Sequence, residues 1–234
     1  MRLIGMEKGG GDASIDFYDC PLNCEYCAHT RQDGRDYDLM EVLEFLADPN
    51  VNNVYIGGAE PALQGRDLLE LLQRLRRMKK RVTLKTSGFY PDLIEDTIGL
   101  VHQYVLGVKC PLDDPEYNQT LTGLNQERAG EYVENLERTM EILKGQNLKV
   151  WIRVIPGFLD EGKMERIGQQ IKGVATEAWL FQFLSSPQNE VSFRGIDRPG
   201  PDESEMVNLG RCLVKYVPYV YIMGEGFASE FKST

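Results

Sequence analysis

Cys20-Pro21-Leu22-Asn23-Cys24-Glu25-Tyr26-Cys27 is the stretch on which the reading of this chain turns. Three cysteines fall within eight residues, with three residues between the first two and two between the last two. Pro21 and Asn23 favour a turning loop over a regular helix. Such a loop can fold its thiolates inward around one object, and three thiolates suit a soft metal site. They leave a fourth corner open, as a catalytic metal centre needs. Three fillings are compatible with the spacing. His29 could supply the fourth ligand of a structural zinc site. Disulfides fit less well, because the chain's five cysteines cannot all pair and no secretory segment is expected before them. A [4Fe–4S] cubane normally takes four thiolates, so three would leave one iron free of protein ligands.

Working outward, size and composition set the frame. A chain of 234 residues is long enough for one sizeable core, and residues 1–234 read as a single domain. Hydrophobic content of 42% and charged content of 26% are those of an ordinary globule. The longest apolar runs fall well short of about 18 residues, so no membrane-spanning helix is expected. The opening MRLIGMEKGGG has too short an apolar stretch for a signal peptide, and a reducing cytoplasm is the expected location, where clustered cysteines bind metal rather than pair. With 36 acids against 26 bases the net charge is −10, which weighs against nucleic acid or an anionic membrane as the main partner. A monomer is expected.

Residues 1–13, with Gly9 to Gly11, read as a flexible start, and Ser14 to Asp19 as a strand ending at the first cysteine. Helical periodicity predicts helices over 38–48, 64–80, 91–101, 126–144, 160–174 and 203–216. Between them, β-rich runs predict strands over 51–56, 81–86, 104–109, 149–155, 178–184 and 219–223. Residues 110–124 and 185–201 read as loops, the second long and irregular with three prolines. This alternation implies parallel strands with crossover helices, and six or seven units imply an α/β fold with an open or partial barrel of (β/α)6 type. Sites in such folds sit at the carboxyl ends of the strands, where the cysteine loop falls.

Gly57-Gly58-Ala59-Glu60-Pro61 ends the second predicted strand. Small residues there let a ligand approach the backbone, and the Glu60 carboxylate could take an ammonium group. A plain turn is the alternative. The cysteine spacing, with Tyr26 before the last cysteine, resembles the radical S-adenosylmethionine superfamily, in which the free iron is chelated by the amino and carboxylate groups of S-adenosylmethionine. Gly58-Ala59-Glu60-Pro61 then looks like that superfamily's GGE element, with Ala59 in place of the second glycine, a change that a negative φ would permit.

Further along, Thr83-Leu84-Lys85-Thr86-Ser87-Gly88, Val105-Leu106-Gly107-Val108-Lys109 and Trp151-Ile152-Arg153-Val154-Ile155-Pro156-Gly157 are similar to LDTNG, LDLK and VWIRxxxxPG segments of the activating enzymes of glycyl-radical enzymes, such as pyruvate formate-lyase activase. The resemblance runs from about residue 14 to 184. It implies an oxidoreductase in which Cys20, Cys24 and Cys27 hold a [4Fe–4S] cluster. It also implies that Tyr26, Ala28, Gly57, Gly58, Glu60, Lys85, Thr86, Lys109 and Arg153 surround S-adenosylmethionine. One electron from a donor such as flavodoxin or ferredoxin would yield a 5′-deoxyadenosyl radical, which takes hydrogen from a glycine of a partner glycyl-radical enzyme. Two departures stand out. Two carboxylates that help bind a monovalent cation in pyruvate formate-lyase activase are here Lys85 and Gly107, so Lys85 could replace that cation or point to solvent. The family's later His has no counterpart near Leu184 or Ser185. Radical chemistry on a small molecule or a peptide therefore stays open, as does a non-enzymatic zinc or iron–sulfur protein. Cys110 and Cys212 read as small buried hydrophobes, with an auxiliary cluster as the alternative, and His102 reads as structural. The basic run Arg74 to Arg81 reads as a solvated helix end, or alternatively a dock for an acidic electron donor.

Overall fold

The computed structural model describes residues 1–186 and 188–233. Its first two strands, β1 (Arg2–Gly9) and β2 (Asp12–Phe17), form an antiparallel hairpin. Gly10 and Gly11 make the turn, at φ of 62° and 94°. A two-residue hairpin turn needs that left-handed backbone, which glycine adopts without a Cβ clash. The expectation of a flexible start is thus corrected: the glycines bend a strand pair.

After the cysteine loop come β3 (Arg35–Asp36), α1 (Leu39–Leu46), β4 (Asn53–Gly58), α2 (Arg66–Arg77), β5 (Arg81–Thr86), α3 (Pro91–Asp96) and β6 (Gln103–Gly107). Then follow α4 (Pro115–Thr122), α5 (Gln126–Ile142), β7 (Leu148–Val154), α6 (Glu161–Ile171), β8 (Glu177–Gln182), α7 (Glu203–Leu213), β9 (Tyr219–Gly224) and β10 (Phe227–Lys232). Besides β1, three elements were not expected from the sequence: the two-residue β3, α4 and β10. Helix α4 lies inside the expected loop 110–124, with the Asp114 carboxylate accepting from the Tyr117 N–H, Pro115 opening the helix and Gly123 closing it at φ 66°. Strand β10 returns antiparallel to β9 and was not expected at all.

Among the described residues, one ten-stranded sheet runs in the order β10-β9-β8-β7-β6-β5-β4-β2-β1-β3. The pairs from β2–β4 through β8–β9 are all parallel, and helices cross between them. The parallel strands end in antiparallel edges, β1 with β3 on one side and β10 on the other, and the sheet does not close. This is the partial α/β barrel that the alternation implied. Side chains alternate along each strand. Val150, Ile152 and Val154 of β7 are fully buried, while Lys149, Trp151 and Arg153 between them are only half-buried. The helices pack on the first set, and the second set faces the concave side. Among the described residues, no helix is long and apolar enough to cross a membrane.

Candidate functional site

Every parallel strand delivers its last residues to one rim, and a cavity of about 460 Å³ opens there. Cys20, Cys24 and Cys27 line it together with Tyr26, Gly58, Lys85, Thr86, Lys109 and Arg153. Residues up to 133 positions apart, from Cys20 to Arg153, thus meet because each follows or ends a strand. Three expected residues do not line it. Gly57 and Ala28 support the wall, and Glu60 is fully buried behind it.

The Glu60 carboxylate is already occupied. It accepts from the Ala62 N–H at 3.1 Å, Thr86 Oγ1 at 3.0 Å, the Ser87 N–H at 2.6 Å and Ser87 Oγ at 2.5 Å. In this structure it ties the turn after β4 to the end of β5. Gly58 has φ 81°, and a Cβ there would come within 2.6 Å of the Phe17 backbone N. Only glycine fits that contact between β4 and β2. Ala59, which lines the cavity, is absent from the residues at positive φ, so its Cβ is tolerated as the sequence required.

The donor set tests what the cavity could hold. Among the described residues, no three His, Cys, Asp or Glu donors converge on one point. The three cysteines instead share the wall of an open cavity, which fits a larger cluster held at three corners. His29 lies beside Cys27, Nδ1 to Sγ 3.8 Å, and burial with the nearby Lys85 charge lowers its pKa to about 4. Burial raises the Cys20 and Cys24 thiols, and the Lys109 charge opposes that rise. A bound metal would reverse this and hold them as thiolates.

Three cations face the cavity. Lys85 does not point to solvent: its ammonium lies 5.1 Å from the centre of the Trp151 ring, and burial lowers its pKa. No carboxylate lies within ion-pairing distance of it among the described residues; Asp16 acts on it only through space. Lys109 Nζ lies 3.5 Å from Tyr132 Oη. Burial works to lower the Lys109 pKa, but Tyr132, Cys24 and Cys20 outweigh it and the net shift is upward. Arg153 pairs with Glu190 and donates to the Gln182 carbonyl at 3.2 Å.

Asp16, Tyr55, Trp151 and Glu190 also line the cavity and were not singled out from the sequence. The period-two pattern Ser14-Ile15-Asp16-Phe17 was a usable signal for Asp16, since Ile15 and Phe17 are fully buried and Asp16 must face the other way. Cys110 and Cys212 are buried and do not line the cavity, and His102 accepts the Val82 N–H at 3.3 Å. The basic run ends α2 and leads into the start of β5, at the opposite end of the sheet from the cysteine loop.

Comparison with known proteins places the chain in a family. A Methanocaldococcus jannaschii protein with the provisional name glycyl-radical enzyme activating enzyme is 26% identical over 218 residues, covering 90% of this chain and 88% of its own. The 7-carboxy-7-deazaguanine synthase of Methanospirillum hungatei is 32% identical over 111 residues, 46% of this chain and 45% of its own. A radical SAM methyltransferase structure from Sphaerobacter thermophilus superposes with a TM-score of 0.67 at 15% identity, over 93% of this chain and 68% of its own, a likeness of fold. The model of the Radical SAM superfamily matches residues 14–167. That span is well over half of the chain and contains the cysteine loop. The chain therefore belongs to the radical SAM superfamily, and it is an oxidoreductase that uses a [4Fe–4S] cluster and S-adenosylmethionine.

Proposed function

We propose that this chain is an activating enzyme that takes a hydrogen atom from the Cα of a glycine in a partner glycyl-radical enzyme. The observation that supports this best is the near-full-length alignment with the Methanocaldococcus jannaschii protein of that provisional name. In this reading Cys20, Cys24 and Cys27 hold the cluster, and the open side of the cavity takes S-adenosylmethionine. Gly58 and Ala59 let it approach the end of β4. Lys85, Lys109 and Arg153 offer donors to its carboxylate and ribose through charge-assisted hydrogen bonds. Lys85 supplies fixed positive charge where a monovalent cation would otherwise be required. Tyr26 and Thr86 shape the wall, while Glu60, Gly57 and Ala28 hold the two loops that form it. When bound, the cluster and S-adenosylmethionine supply one-electron cleavage of the sulfonium and, from it, hydrogen-atom abstraction. The electron comes from an external donor such as flavodoxin or ferredoxin.

The test is anaerobic reconstitution, reduction and incubation with a candidate partner. Reductant-dependent release of 5′-deoxyadenosine together with a glycyl-radical EPR signal in the partner is the expected result. A second reading, chemistry on a small molecule, is favoured by the partial match to a 7-carboxy-7-deazaguanine synthase. It predicts 5′-deoxyadenosine carrying deuterium from a labelled small molecule and no signal in any protein. Activity that requires added K⁺ or Na⁺ would contradict the role given to Lys85.

A further inference from the structure

We propose that Glu190 is a positioning residue: the segment 188–191 straps the cysteine loop in place, and the Glu190 carboxylate aims the Arg153 guanidinium into the cavity. The strap is joined to the loop by backbone. The Ala28 N–H donates to the Asn189 carbonyl at 3.0 Å, the Val191 N–H donates to the Tyr26 carbonyl at 3.0 Å, and Cys27 and Glu190 face each other as an antiparallel bridge. Beyond it, the Phe193 ring meets the Tyr26 ring edge-on, centres 5.6 Å apart. The last cysteine of the motif therefore sits in a two-stranded patch whose second strand lies 163 residues further along the chain.

The carboxylate does the rest. Glu190 is only 4% exposed. Its Oε2 accepts the Leu184 N–H at 2.5 Å, at a residue whose φ of 59° is costly for a leucine. Its Oε1 lies against the Arg153 guanidinium as an ion pair. Arg153 is in turn held by the Gln182 carbonyl and lies 5.1 Å from the centre of the Phe181 ring. A planar guanidinium gripped on two edges and one face has its plane fixed, and its remaining donors are left to the cavity. One side chain thus couples the cysteine loop, the strained turn after β8 and a cation of β7. An arginine so held gives up little rotamer freedom when a ligand arrives, so the gain appears as affinity.

The inference rests on the reading of Arg153 as a contact of S-adenosylmethionine, and the experiment separates the two. S-adenosylmethionine affinity is measured by equilibrium dialysis on cluster-loaded wild type, Glu190→Gln, Arg153→Lys and the double variant, with EPR spectra of the reduced cluster recorded with and without S-adenosylmethionine. Glu190→Gln keeps an acceptor for the Leu184 N–H and removes the charge that orients Arg153. It is expected to weaken binding by about tenfold, as loss of an orienting outer partner commonly does. It is also expected to blunt the EPR change caused by S-adenosylmethionine, while iron content stays at the wild-type level. Arg153→Lys weakens binding comparably, and the double variant is no worse than either single one, because both act through one guanidinium. Wild-type affinity in Glu190→Gln overturns the inference, as does a full tenfold loss on adding it to Arg153→Lys. Wild-type affinity in Arg153→Lys overturns the underlying reading of Arg153 instead. If Glu190→Gln fails to fold, Glu190→Asp is read in its place. A smaller loss that disappears in the Arg153→Lys background supports the strap, and wild-type affinity overturns it.

Discussion

The two faces of the sheet are made by alternate residues of the same strands, yet they differ in kind. Toward the helices, β7, β8 and β9 present Val150, Ile152, Val154, Ala178, Leu180, Val220 and Ile222, all fully buried. Toward the concave side the same strands present Lys149, Trp151, Arg153, Glu177, Trp179, Phe181 and Tyr221, half-buried and polar or aromatic. Cations there settle against rings: Lys149 lies 3.8 Å from the centre of Trp179, Lys85 5.1 Å from Trp151 and Arg153 5.1 Å from Phe181. The lesson is a division of labour. Burial of aliphatic surface, at about 25 cal/mol per Å², holds the chain together from one side. The other side adds packed rings, Trp151 stacked on Phe181 and Trp179 beside Tyr221, only half removed from water, and the cations of the cavity sit among them.

The contrast can be broken from either face. The largest effect belongs to the rim of the concave side: Cys24→Ala is expected to reduce iron after reconstitution from about four atoms per chain to near none. Circular dichroism should still report a folded chain, and a collapse of secondary structure would blur the division. On the helix side, Ile152→Ala should cost about 2–5 kcal/mol in urea unfolding, through lost contact and a residual cavity. The fraction that stays folded should bind S-adenosylmethionine as wild type does.

The smallest effect sharpens the comparison through pH. Burial holds the Lys85 pKa below the ordinary 10.5, so the ammonium costs more in the folded state than in the unfolded chain. Below the lowered value the wild type carries the whole penalty of a buried charge, and above 10.5 it carries none, because the unfolded chain is then neutral too. Apo Lys85→Met should therefore gain stability over wild type near neutral pH, and the gain should shrink as pH rises between those two values. Urea midpoints at about pH 7 and about pH 10 provide the check, and a gap that does not change would place Lys85 in water.

How much of this was legible in the chain depended on how far each partner lay in sequence. The cysteine loop, the Gly58-Ala59 turn and the strand-end Lys85, Lys109 and Arg153 announce themselves within a few residues, and the alternating pattern carries them to one rim. The hairpin at Gly10-Gly11 was readable too, since a glycine pair between alternating residues is turn chemistry, but three glycines in a row suggested looseness. Helix α4 had its caps in plain sight at Asp114, Pro115 and Gly123, and a polar composition hid them. Glu190 gave no local sign at all. Its partners are Arg153, Leu184 and the backbone at Cys27, and only the packed chain brings them to one carboxylate. Glu60 shows the opposite case, a residue with a clear motif whose oxygens were spent on Thr86 and Ser87, neighbours that the motif did not name.

The unclosed sheet has a consequence for how this protein coexists with its own copies. An exposed flank of unpaired amides invites a second molecule to zip on. Here one flank is the two-residue β3, too brief to template anything. The other is β10, which carries Glu230 and Lys232 near its tip. Removing β10 would bare the edge of β9, six residues from Tyr219 to Gly224, and filaments or precipitate would be the expected outcome.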